Sequence, residues 1–209
     1  MTNQTPEEGN INPKDGSQKS DRVSKHQAKM LLAMARNSIG ERLKRPTDEI
    51  EPGVGDASFL EQKQGVFVTL HKQGRLRGCI GNIEPVKSIR DGIAENAVHA
   101  AFRDTRFAPL SEDEFDHIDI EVSLLSVPVP LDFKDSGELT ERLIPGRHGV
   151  ILEHGGCRST FLPQVWEQLP RPEDFLSHLC TKAGLPASAW KDRPITVYTY
   201  EVQSFGELG

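Results

Sequence analysis

Two glycines set around a cysteine, in Leu76-Arg77-Gly78-Cys79-Ile80-Gly81, leave the backbone of six residues short of side-chain cover. Glycine inside a strand weakens it, and marks a bulge or a close approach by another backbone or a ligand. The stretch follows Gly65-Val66-Phe67-Val68-Thr69-Leu70-His71, whose β-branched and aromatic residues predict a strand. Lys72-Gln73-Gly74 predicts a turn, with Gly74 supplying positive φ. Arg75 to Ile80 then returns as the second strand of a hairpin. Two readings of Cys79 stand side by side. A buried free cysteine behaves as a small hydrophobe, with Gly78 and Gly81 admitting a closely packed neighbour. Alternatively, Cys79 belongs to a site. Arg77, two residues along the strand, then shares its face and makes the thiol more reactive, while burial would make it inert.

The rest of the chain alternates helix and strand signals without regular βαβ order. Ala28, Leu31, Leu32, Ala35, Ile39 and Leu43 predict a helix that Ser24 caps and Pro46 ends. A second amphipathic helix is expected from Pro85 to about Arg103. His117 to Val127 alternates apolar and polar, a half-buried strand stopped or edged by Pro128 and Pro130. Leu139–Leu143 is expected as a short helix. His148–His154 and Cys157–Leu162 are expected as a hairpin around Gly155-Gly156, Pro172–Gly184 as a helix, and Ile195–Phe205 as one last strand. The fold class is therefore α+β, with mostly antiparallel sheets and packed helices. Residues 1–22 are expected as a disordered tail, since up to Ser20 only Met1 and Ile11 are large and apolar. The folded unit is placed at 23–207.

A chain of 209 residues suffices for one domain or two small lobes. A net charge of −6 argues against broad binding to a nucleic-acid backbone, which needs a basic footprint. The three cysteines, Cys79, Cys157 and Cys180, have no disulfide-framework or metal-knuckle spacing, which fits a reducing compartment. Met1 to Ser20 has no apolar core of a signal peptide, and no apolar run nears the ~20 residues that span a bilayer. A cytoplasmic protein without membrane segments is expected.

Cofactor motifs are absent from the sequence. No Gly-Lys-Ser/Thr follows the glycines, no GxGxxG opens a helix, and the cysteines are too dispersed for an iron–sulfur cluster. His148 and His154 are the nearest approach to a ligand pair, and no metal site is expected. Polar residues gather instead at element edges: Arg77, Cys79, Asp104, Arg106, Glu121, Arg147, His148 and Arg158. Singly each reads as a solvated charge, a loop clasp or a packing residue. Together they have the parts of a site, because guanidinium forks suit carboxylate or phosphate and a thiol near them gains reactivity.

The same residues carry a resemblance. From about residue 60 to 207 the chain resembles the AMMECR domain family, the AmmeMemoRadiSam system protein A of bacteria and archaea. The matching blocks are Gly65–Leu70, the hexapeptide Leu76–Gly81, Asp104-Thr105-Arg106-Phe107, Glu121-Val122-Ser123, Gly146-Arg147-His148-Gly149, Phe161–Val165, Lys182–Leu185 and Phe205-Gly206-Glu207. The resemblance implies two unequal lobes with a cleft near the hexapeptide, and work alongside a Memo-like protein and a radical SAM protein. It implies no particular reaction. Three functions compete. One is a partner-dependent component of a modification pathway that presents the cleft. Another is a stand-alone enzyme using Cys79 and Glu121 as catalytic groups, with Arg77, Gly78, Gly81, Asp104, Arg106, Arg147 and His148 around a small anionic ligand. A nucleic-acid-binding regulator comes last on charge.

Overall fold

The computed structural model describes residues 22–192 and 194–208. The tail expected over 1–22 lies almost wholly outside them. In chain order the elements are α1 (Lys25–Arg42), α2 (Asp56–Leu60), β1 (Gly65–Lys72), β2 (Arg75–Asn82), α3 (Ile89–Phe102), α4 (Glu112–Phe115) and β3 (Ile118–Leu125). Then follow β4 (Val129–Pro130), α5 (Ser136–Arg142), β5 (Gly149–His154), β6 (Cys157–Phe161) and a 3-10 turn at Pro163–Glu167. The last are α6 (Pro172–Lys182), α7 (Ala189–Asp192), β7 (Thr196–Tyr200) and β8 (Val202–Gly206).

The strands form two four-stranded antiparallel sheets, in the orders β2-β1-β3-β8 and β4-β7-β5-β6. The fold is α+β as the sequence predicts. α1 starts at a capping box, the Ser24 hydroxyl accepting from the Gln27 N–H while the Gln27 side chain accepts from Ser24 N–H. α3 starts later than Pro85, because Ser88 caps it and holds the Asp91 N–H. Both helices cover one face of the first sheet around Val66, Val68, Leu70, Ile120 and Val122. The second sheet has its own core, where Val150, Leu152 and Val197 meet α5, α6, α7 and the 3-10 turn through Leu139, Leu176, Trp190 and Trp166.

The expected single strand Ile195–Phe205 is one run of chain that serves both sheets. It bends at Glu201, so β7 pairs with β4 and β8 with β3. β3 and β4 make the matching bend at Ser126. The Ser126 N–H donates to the Glu201 carbonyl at 2.9 Å, and the Glu201 N–H donates to the Ser126 hydroxyl at 3.0 Å. Pro130 sits in β4, an edge strand, where a missing N–H leaves no gap in a ladder. Beside this two-stranded ribbon the sheets are joined by a small apolar cluster of Leu125, Ile151 and Tyr200, with Phe67, Ile83, Leu162, Tyr198 and Val202 against it.

Candidate functional site

The hairpin of β1 and β2 turns through Gln73 and Gly74, both at positive φ, the left-handed pair that suits a tight two-residue connection. Counting back from the turn, Lys72 pairs with Arg75 and His71 with Leu76, but Leu70 pairs with Gly78. Arg77 is thus the extra residue of a β-bulge. A bulge moves every later side chain to the opposite face. Gly78 therefore turns to the helices, where a Cβ would meet the Ala100 carbonyl oxygen at 2.2 Å. Cys79 turns the other way and pairs with Thr69, which pairs in turn with Glu121.

The bulge breaks the alternation expected to put Arg77 and Cys79 on one face. Arg77 instead forms two hydrogen bonds to Glu114, through Nε at 3.2 Å and Nη2 at 3.0 Å, and a third to the Ala108 carbonyl. Lys72 joins the same carboxylate at 2.8 Å. Hydrogen bonds from Arg77 and then Lys72 hold the Glu114 carboxyl well below the usual carboxylate range.

β2 lies at the edge of its sheet, and Asp104 and Arg106 close that edge at Cys79. The Cys79 N–H donates to Asp104 Oδ2 at 2.9 Å, and Arg106 Nη2 donates to the Cys79 carbonyl at 3.2 Å. The two side chains take the place of a neighbouring strand. They are bound to each other at 2.6 Å, and the Arg106 guanidinium first, then the Cys79 and Arg106 N–H groups, hold the buried Asp104 well below its ordinary range. Phe107 lies within cation–π reach of both Arg77 and Arg106.

Between the sheets is a pocket of about 30 Å³, lined by Phe67, Thr69, Cys79, Glu121, Ser123, Leu125, Leu162, Gln164 and Val202. It unites the two residues expected to act chemically, Cys79 and Glu121, across Thr69. Both are half-buried. The Thr69 hydroxyl donates to Cys79 Sγ at 3.4 Å, and Ser123 is tied to Ser204 at 2.9 Å. Glu121 has no hydrogen-bond or ion-pair partner among the described residues, and its other cross-strand neighbour, Gly206, has no side chain and faces open space. Of the other expected residues, Gly81 packs under the Phe67 ring, and Arg77, Asp104 and Arg106 stand on the outer side of β2 without lining the pocket. Arg147 is paired with Glu201, and burial, then the nearby Arg147 charge, pushes the half-buried His148 imidazole down. Neither lines the pocket, and no histidine does. Arg158 bridges Glu84 and Glu153. It also lines an open hollow of about 440 Å³ at the β5–β6 tip, with His154 and Cys157. Among the described residues no group of three or more His, Cys, Asp or Glu is placed to hold a metal ion. Likewise no helix there is long and apolar enough to cross a membrane.

Sequence reasoning missed Thr69, Ser123 and Gln164 as pocket residues. The alternation of β1 and β3 puts Thr69 and Ser123 on the polar side, but only the register shift at Arg77 brings Thr69 opposite Cys79. Glu114 had a readable signal, the capping box with Ser111.

The AMMECR1 family model matches residues 32–205. The chain belongs to the AMMECR1 family. A family relative from Methanothermobacter thermautotrophicus is 39% identical over 192 residues, covering 90% of this chain and 97% of the relative. Protein MK0488 of Methanopyrus kandleri is 36% identical, covering 90% and 91%. The crystal structure of uncharacterized protein PH0010 from Pyrococcus horikoshii, 35% identical, superposes with a TM-score of 0.70 over 86% of this chain and 91% of that one. Of the hexapeptide Leu76–Gly81, Cys79 is the residue that lines the pocket.

Proposed function

We propose that this protein is a partner-dependent component of a modification pathway, working in the cytoplasm with a Memo-like and a radical SAM protein, and that the Cys79 pocket is where it is engaged. The observation that carries this reading is the size and lining of the pocket. At about 30 Å³ it holds one small polar group, far short of the roughly 300–1,000 Å³ of a small-molecule site. A group of that size arrives most readily as the end of something larger, presented from outside. The thiol also has no imidazole base on it, so a self-sufficient cysteine nucleophile is incomplete. The Memo-like and radical SAM partners rest on the family resemblance.

The test is co-purification of the protein with its Memo-like and its radical SAM neighbours. A complex is expected, and Leu76→Asp should weaken it at least tenfold, because Leu76 is an exposed apolar side chain on the hexapeptide strand. No complex with either neighbour would overturn the reading.

The runner-up is a stand-alone enzyme. Its support is that Cys79 and Glu121 share one pocket wall, with the thiol half-buried rather than enclosed.

A further inference from the structure

We infer that the pocket between the sheets binds a primary ammonium group on an alkyl stem. The inference deepens the reading of the Cys79 pocket as the point of engagement and names the chemistry of what enters. The one formal charge on the pocket wall is that of Glu121. Its carboxylate has no counter-ion among the described residues, and the absent side chain at Gly206 leaves it open on one side. The guanidinium groups that would have drawn an anion do not line the pocket; Arg77 is paired with Glu114, and Arg106 with Asp104 and the Cys79 carbonyl.

Residues with acceptor oxygens share the pocket lining with Glu121. Thr69 gives its proton to Cys79 Sγ, so its oxygen lone pairs remain. Thr69 is directly across from Glu121 on β1, about 5 Å away at the backbone. Ser123 is two residues along β3 on the same face, its hydroxyl shared with Ser204, and the exposed Gln164 also lines the pocket. An ammonium group donates three hydrogen bonds and accepts none, which matches this set. The remaining wall is Phe67, Leu125, Leu162 and Val202, suited to methylenes. A volume of about 30 Å³ suits a small head such as a primary ammonium better than a quaternary one.

The experiment records amide spectra of the labelled full-length protein at pH 7 and constant ionic strength. n-Butylammonium chloride is the probe, with potassium chloride, sodium butyrate and tetramethylammonium chloride in separate titrations. Saturable shifts at Thr69, Cys79 and Ser123 are expected with butylammonium alone. In Glu121→Gln, an isostere whose own spectrum reports folding, affinity should drop by about tenfold or more, the scale of a lost charge-assisted hydrogen bond. A second arm compares the peptide acetyl-Ala-Lys-Ala-amide. Tighter binding than butylammonium at the same amides assigns the group to a lysine of a protein partner, and equal or weaker binding assigns it to a free amine. No saturable shift overturns the inference. So do equal shifts with butyrate, potassium or tetramethylammonium, or shifts unchanged in Glu121→Gln. The purified protein alone suffices, so a complex in co-purification beside silent spectra would remove the ammonium site and leave the partner reading standing.

Discussion

Gly78 is held by what lies over it. With the Ala100 carbonyl oxygen 2.2 Å from the position of a Cβ, β2 touches the backbone of α3, and neither side has a flexible group to yield. Gly78→Val is expected to cost about 1–3 kcal/mol, the range of an overpacked site, read as a lower denaturant midpoint. An unchanged midpoint would show that α3 gives way. Gly81 differs in kind. Its missing Cβ falls 2.2 Å from the Phe67 ring, a side chain that also lines the pocket, and 2.6 Å from the Val66 carbonyl oxygen, so a methyl there presses on pocket wall and on the backbone of β1 rather than on a helix.

A strand edge carries a liability, since its unpaired N–H and C=O groups invite another strand. β2 meets it with side chains from the loop after α3: Asp104 takes the Cys79 N–H and Arg106 serves the carbonyl. Asp104→Asn removes the charge that binds Arg106 and is expected to cost about 1–3 kcal/mol at pH 7. The pH dependence has a definite sign. Asp104 and Glu114 are both held well below their unfolded values of about 4, so their contribution is complete above that pH and is lost progressively as the pH falls beneath it. Melting temperature followed from pH 6 to pH 2 should fall, and fall less steeply in Asp104→Asn or Glu114→Gln. Parallel curves for wild type and both variants would assign acid sensitivity to other carboxylates.

At the scale of the molecule, two sheets with separate cores are held together by a bent ribbon and one small apolar joint. Tyr200 is the pivot of that joint. It is 1% exposed, its ring lies where Gly149 has no side chain, and its hydroxyl donates to the Phe161 carbonyl at 3.1 Å. Burial pushes the phenol up to about 12. A raised phenol contributes stability that is complete below the unfolded value of about 10 and disappears as the pH climbs towards the folded one. Denaturant stability should therefore decline between about pH 10 and 12, and Tyr200→Phe should flatten that decline, while losing about 1 kcal/mol at pH 7 with the hydrogen bond. The Arg158–Glu84 pair also joins the two sheets' ends, but both groups are nearly half exposed, so such a pair contributes about 0–1 kcal/mol.

Local signals determined most of the elements. Ser24 with Gln27 starts α1, the alternation from Ile118 to Leu124 sorts β3 into a core face and a polar face, and Gly155-Gly156 turns β5 into β6. These depend on near neighbours, so spacing alone reveals them. Two features depended on contacts far along the chain. The run Ile195–Phe205 reads as one strand, and its bend at Glu201 exists because Ser126 offers partners there and two separate cores claim the two halves. The face of Cys79 was the other. Regular pairing from the turn would set Cys79 opposite Val68, in the helix-side core, and make it a packing residue. The bulge at Arg77 reverses this. It is held by Glu114 on one flank and by the approach of Gly78 to Ala100 on the other, both supplied by chain more than twenty residues away. Period-two alternation determines that a strand has two faces, but only tertiary contacts decide where one extra residue exchanges them.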